Sequence, residues 1–127
     1  MEITVIVTVL ALLQFIFFGI QVGSMRMKHG VKAPAVTGPP AFERMFRVHY
    51  NTMEQLVAFL PALWLYGLTV NHLWGAGFGL VYLVGRFIYR AEYLKEPDSR
   101  SLGFGMTMLP TAVMLIWVLI AKILDMV

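Results

Sequence analysis

The chain has 127 residues, of which 59% are hydrophobic and only 13% charged, with a mean hydropathy of +0.75. A soluble domain carries roughly 25% charged residues, so this composition excludes the ordinary soluble class and points to the membrane class. The formal net charge is +3, and the absence of cysteine excludes a disulfide framework, a thiolate metal site and a cysteine nucleophile.

The first apolar run starts at Ile3, reaches about Ser24 and carries no charge. Its length is near the ~20 residues a helix needs to cross a bilayer. No basic residue precedes it and a basic cluster follows it, so it reads as a retained helix rather than a cleaved leader. The connection RMKHGVKAPAVTGPPAFER comes next, broken by Gly30, Pro34, Gly38, Pro39 and Pro40. Pro40 suits the first turn of a following helix, where a missing N–H costs nothing. The second apolar run extends from about Val48 to Val70, with the polar stretch FERMFRVHYNTMEQL at its mouth. A tight turn at Asn71-His72 leads into the third run, about Leu73 to Tyr93. RAEYLKEPDSRS then leads into the fourth, about Leu102 to Ile123.

In lipid, only a helix satisfies its own backbone within one segment. The expected fold class is therefore all-α integral membrane: a four-helix transmembrane bundle in one domain over residues 1–127, with helices at about 3–25, 42–70, 73–93 and 99–124. Pro61 and Pro110 lie inside helices and are candidate kinks. Gly19 with Gly23, and Gly75 with Gly79, form G-x-x-x-G pairs that would permit close helix contact.

The basic residues sort by side. Arg26, Lys28, Lys32, Arg44 and Arg47 lie in or beside the first connection, and Arg86, Arg90, Lys95 and Arg100 in or beside the third. Only Lys122 belongs to the other side. The positive-inside rule makes loops 1 and 3 cytoplasmic and puts both termini on the opposite side, in the inner membrane if the source is bacterial. That placement accounts for the basic loops without nucleic acid.

Residues three and four apart share a helix face. Arg47, Asn51 and Glu54 stand at i, i+4 and i+7 and form one stripe, while His49 is rotated to another face. Tyr82, Arg86, Tyr89 and Tyr93 form a second stripe in the third helix. Two readings are open. Arg47 or Arg86 could bridge Glu54 structurally. Alternatively, the stripes could meet around a ligand, since ionisable residues in membrane segments are rare and mark sites. Guanidinium groups, a carboxylate and an amide suit a zwitterionic, peptide-like ligand. Arg100 follows Pro97-Asp98-Ser99 at the expected start of the fourth helix. A cation there needs an anion nearby, either Asp98 or a bound group.

These residues resemble a known family. FERMFRVHYNTMEQL resembles the E-R-x-x-R-x-H-x-N-x-x-E signature of the MAPEG family, membrane-associated proteins in eicosanoid and glutathione metabolism. The likeness extends to the TGPP turn at Thr37 to Pro40, to GLVYLVGRFIYRAEY at Gly79 to Tyr93, and to Arg100-Ser101. It spans essentially the whole chain and is most similar to bacterial-type members of the microsomal glutathione transferase branch. Gln55 departs from the leukotriene synthases, which have Tyr after the glutamate, and this argues against leukotriene-like specificity.

The resemblance implies a homotrimer that binds glutathione between subunits near the cytoplasmic side. It assigns glutathione binding to Arg26, Arg47, His49, Asn51, Glu54, Arg86, Tyr89 and Tyr93. It makes Arg100 the catalytic residue that stabilises the thiolate, with Ser101 a possible auxiliary unless it merely caps the helix. The expected function is a membrane-bound glutathione transferase. It would conjugate glutathione, as co-substrate, to hydrophobic electrophiles from the bilayer, or reduce lipid hydroperoxides as a peroxidase, with no metal. Two rivals compete with this: a non-catalytic lipid-binding MAPEG scaffold and a small multidrug transporter. Retention of Arg47, Asn51, Glu54 and Arg100 argues against the scaffold. The absence of an embedded glutamate in the first helix argues against the transporter.

Overall fold

A computed structural model describes residues 1–127, and the chain folds as α-helices joined by one longer connection, 30–39, and two tight turns, with no strand. Helix α1 spans Glu2–His29. It runs past the apolar stretch because Arg26, Lys28 and His29 in its last turn favour the negative helix end. It stops at Gly30, whose φ of 66° is the left-handed conformation that suits glycine.

Helix α2 covers Pro40–Tyr66 and starts on Pro40. A π-helical turn, Gly67–Asn71, leads into α3, His72–Lys95. Asn71 is extended, and its side chain accepts hydrogen bonds from the N–H groups of Leu73 and Trp74. The asparagine thus breaks one helix and caps the next. A 3-10 turn, Pro97–Ser99, precedes α4, Ser101–Asp125. Three helical stretches are long and apolar enough to cross a membrane: Glu2–His29, Pro40–Lys95 and Ser101–Asp125. The middle stretch, 56 residues, folds back at Asn71 into the α2–α3 hairpin.

The hairpin is antiparallel, and its pairs step in opposite directions along the two helices. Thr52 meets Arg86, Phe59 stacks on Tyr82 with ring centres 3.7 Å apart, and Tyr66 meets Phe78 edge-on. Helix α1 packs on one side. Gln14 Nε2 donates to Leu83 O at 2.9 Å, and Trp64 Nε1 donates to Thr8 Oγ1 at 3.0 Å. Both bonds remove polar groups from an apolar setting.

Helix α4 packs on the other side, closest to α3. A Cβ on Gly85 would stand 2.6 Å from Met106 Cβ, and one on Gly103 would collide with the backbone of Tyr89. Of the two G-x-x-x-G pairs, Gly79 seats Val7 of α1 and Gly75 faces Tyr66, whereas Gly19 faces His49 and a Cβ on Gly23 would meet only open space.

One apolar cluster, around Phe59, Leu63, Tyr66, Tyr82 and Met114, fills the middle of the bundle. A second, around Phe18, Phe42, Met45, Val48 and Tyr89, fills the end carrying the basic loops. Only 31 of 127 residues are buried, so most of the apolar content faces outward, including Leu13, Ile16, Ile20 and Leu109. Such a surface suits lipid rather than water.

Candidate active site

The second stripe of polar residues lies on α3 and the first on α2, and the hairpin brings both to the basic end of the bundle. There, between α2, α3 and the start of α4, lies an open cleft of about 580 Å³. Arg47 and Asn51 line it from α2, Tyr89 and Tyr93 from α3, and Asp98, Arg100, Ser101 and Phe104 from the turn and first coils of α4. Its size falls within the roughly 300–1,000 Å³ of small-molecule sites.

Close helix packing sets this geometry. Gly103 lets α4 touch the backbone of Tyr89, which places Arg100 and Ser101 beside the tyrosines. The start of α4 is also fastened by a carboxylate: Gly103 N–H donates to Glu92 Oε1 at 2.8 Å. This amide of the helix start is therefore held by Glu92 of α3 rather than by Asp98. Asp98 instead lines the cleft, where its negative charge can receive an ammonium group. The Arg100 guanidinium donates to Pro97 O at 2.7 Å, which ties the side chain back to its own turn. Ser101 makes no capping hydrogen bond. It lines both the cleft and an adjoining apolar groove of about 400 Å³ between α3 and α4.

Each sequence candidate has a definite place. Arg47 lies over the Tyr50 ring, 5.6 Å from its centre, and pairs with Glu54 at 3.4 Å. That bridge is one of the two anticipated from the sequence; the Arg86–Glu54 alternative does not form. Glu54 stands outside the cleft lining, linked to it through Arg47. Both side chains are close to half exposed, so the pair itself contributes little stability. Asn51 is 8% exposed and lines the cleft; its Oδ1 is buried and has no protein partner. Tyr89 and Tyr93 stack with centres 5.5 Å apart.

Arg86 does not reach the cleft. It is fully buried behind Tyr89, with its guanidinium 4.3 Å from that ring centre. Its Nη2 donates to Thr52 Oγ1 at 2.8 Å and its Nη1 to Thr107 Oγ1 at 3.4 Å. One buried cation thus joins α2, α3 and α4. Arg26 and His49 lie on the α1 side, away from this cleft. Arg26 donates to Ala35 O at 2.6 Å and covers the Phe42 ring. His49 stacks on Phe15 at 4.5 Å and meets Gly19.

Two lining residues were not singled out as binders from the sequence. From the sequence Asp98 is only a local counter-charge to Arg100. Phe104 is one helical turn beyond Arg100, and that spacing was the only signal for it. No group of three or more His, Cys, Asp or Glu side chains converges in the structure.

The MAPEG family model matches residues 4–120, which includes every residue of the cleft. The chain belongs to the MAPEG family. Among its relatives, an uncharacterized protein of Synechocystis is 38% identical over 116 residues, covering 91% of this chain and 85% of its own length. Microsomal glutathione S-transferase 2 of Homo sapiens is 38% identical over 102 residues, covering 80% of this chain and 69% of its own. Leukotriene C4 synthase of Bos taurus is 38% identical over 94 residues, covering 74% of this chain and 63% of its own. MAPEG membership, with three stretches able to cross a bilayer, makes this an integral membrane protein. The cleft at its basic end offers guanidinium, carboxylate, amide, phenol and hydroxyl groups at one site.

Proposed function

We propose that this MAPEG protein is a glutathione transferase whose chemistry takes place in the cleft between α2, α3 and α4. The observation that carries the reading is the composition of that cleft: Arg47, Arg100, Asp98 and the Asn51 amide together complement a peptide with two carboxylates, one ammonium and a thiol. Similarity to microsomal glutathione S-transferase 2 supports the same class.

Arg47 and Asn51 hold the peptide, because a guanidinium binds a carboxylate through two parallel hydrogen bonds and an amide matches backbone groups. Glu54 sets the Arg47 side chain, and Arg86 sets Tyr89 from behind. Arg100 faces the sulfur. A free thiol has a pKa near 8.5, so little thiolate exists at neutral pH. A guanidinium beside it favours the anion, and a shift of two units corresponds to ~2.7 kcal/mol. The thiolate then attacks an electrophilic carbon or, in the peroxidase variant of the reaction, a hydroperoxide oxygen. In the first case the carbon–sulfur bond forms as the leaving group or opened ring takes the electron pair. In the second the O–O bond breaks, the alkoxide leaves and takes a proton, and the resulting glutathione sulfenic acid is reduced by a second glutathione to disulfide and water. Orientation and electrostatics supply the rate enhancement. The apolar groove that shares Ser101 with the cleft suits a hydrophobic partner arriving sideways from lipid.

The reading extends to a homotrimer of four-helix transmembrane chains, with loops 1 and 3 cytoplasmic. Arg26 and His49 pack on the α1 side and do not line the cleft, so in this reading they meet glutathione in the cleft of a neighbouring copy. The deciding experiment is to add glutathione to the purified protein and record thiolate absorbance in the ultraviolet, then to assay conjugation of an aryl halide and reduction of an organic hydroperoxide. A thiolate signal with turnover is expected. Silence in all three measurements would refute the reading.

A further inference from the structure

A second feature lies on the opposite flank of the bundle, in the seam between α1 and α3. At the basic end is a notch of about 250 Å³ lined by Gln21, Ser24 and Arg90, with Met25, Met45 and Leu94 as its apolar walls. Toward mid-bundle the seam holds an apolar groove of about 370 Å³, lined among others by Leu10, Leu13, Phe17 and Phe87. The two cavities follow one line. Leu10, Leu13, Phe17, Gln21 and Ser24 share a face of α1, while Leu83, Phe87, Arg90 and Leu94 share a face of α3. Leu10 to Ser24 covers roughly 21 Å at helical rise. That length matches one leaflet, about half of a ~30 Å hydrocarbon core plus part of its headgroup layer.

The polar end of the seam is cationic and open. Arg90 Nε donates to Gln21 Oε1 at 2.8 Å, which holds the guanidinium in the notch. Its Nη atoms meet no protein acceptor, and Arg90 has no carboxylate within ion-pair distance. No acidic residue lines the notch, so nothing there would receive a quaternary ammonium group. A fixed guanidinium above an apolar groove of leaflet length is complementary to a phosphate carrying an acyl chain and no compensating cation. We propose that this seam is a binding site for an anionic phospholipid, with its phosphate on Arg90 and Ser24 and one acyl chain along Leu13, Phe17 and Phe87. The site is separate from the cleft and needs the seam to face the bilayer in the assembled protein.

Native mass spectrometry tests this on the full chain released from nanodiscs of equal phosphatidylglycerol and phosphatidylcholine. Wild type should retain phosphatidylglycerol over phosphatidylcholine by about fivefold, the factor expected for one basic side chain meeting an anionic headgroup. Arg90→Gln should abolish the preference. Ser24→Phe fills the notch but keeps the charge, and should lower phosphatidylglycerol retention about as much; it serves as the readout if Arg90→Gln does not fold. Equal retention of both lipids by wild type would overturn the proposal. So would unchanged retention in the folded variants, or an oligomer that holds no lipid because a second copy covers the seam.

Discussion

Gly103 and Tyr89 meet backbone to backbone, and a single methyl group between them would collide with the main chain of α3. This contact brings the first turn of α4, with Arg100 and Ser101, against the two tyrosines of the cleft. Gly103→Ala should therefore separate the helices. Overpacking of this kind costs typically 1–3 kcal/mol, roughly, because neither backbone can yield. A lower midpoint in detergent thermal unfolding, with loss of the glutathione thiolate signal, is the expected result. An unchanged midpoint would show that α4 is not held at this distance.

Thr52 and Thr107 both accept from the buried Arg86 guanidinium, but at 2.8 Å and 3.4 Å. The shorter bond should carry more. Thr52→Val leaves a charged N–H unpaired in an apolar interior and should destabilise by about 1.5–3 kcal/mol. Thr107→Val should cost clearly less. Chemical or thermal unfolding of the two variants side by side checks the order, and a reversed order would contradict the geometry.

Arg47 and Arg100 hold different ends of the proposed ligand, so their losses should separate. Arg100→Ala should reduce thiolate formation more than glutathione affinity, raising the bound thiol pKa by about two units. Arg47→Ala should weaken affinity by roughly tenfold or more, the value of a charge-assisted hydrogen bond, while the remaining bound glutathione still ionises. Equilibrium binding and ultraviolet titration against pH measure the two quantities independently. The thiolate signal should rise with pH in both variants, at higher pH for Arg100→Ala.

Glu92 holds the Gly103 amide at the start of α4. Glu92→Ala removes a helix-capping acceptor, a loss of about 1 kcal/mol. Glu92→Gln keeps an acceptor and should lose less. Hydrogen exchange read at the Leu102–Gly103 amides should accelerate in the alanine variant and much less in the glutamine variant.

The sequence was informative about the stripes but not about their partners. The spacing of Arg47, Asn51 and Glu54 puts them on one face of one helix, and all three lie on α2, because helical periodicity is local. Yet only Arg47 and Asn51 line the cleft; Glu54 is turned to pair with Arg47 outside it. Arg86 shares a stripe with Tyr89 and still lies behind it, because α4 packs tightly over that part of α3. The role of Glu92 was invisible for a similar reason. Its acceptor matters only because α4 starts beside it, and that proximity depends on a glycine eleven residues away in the chain.

Composition, run length and the placement of basic residues determined by themselves that this chain is helical and suited to a bilayer. Each of those signals is a sum over neighbours along the chain, and a bilayer imposes its constraint segment by segment. The motif at Phe42 to Leu56, together with the TGPP turn, the Gly79 to Tyr93 segment and Arg100-Ser101, likewise carries the family resemblance. Tertiary structure alone decided which side chains share a cavity. It turned Arg26 and His49 to the α1 side, buried Arg86, added Asp98 and Phe104 to the cleft, and held Arg90 against Gln21 above a separate groove. The physical reason is that crossing geometry depends on where small residues let backbones touch. That is a property of two helices at once, and neither helix encodes it alone.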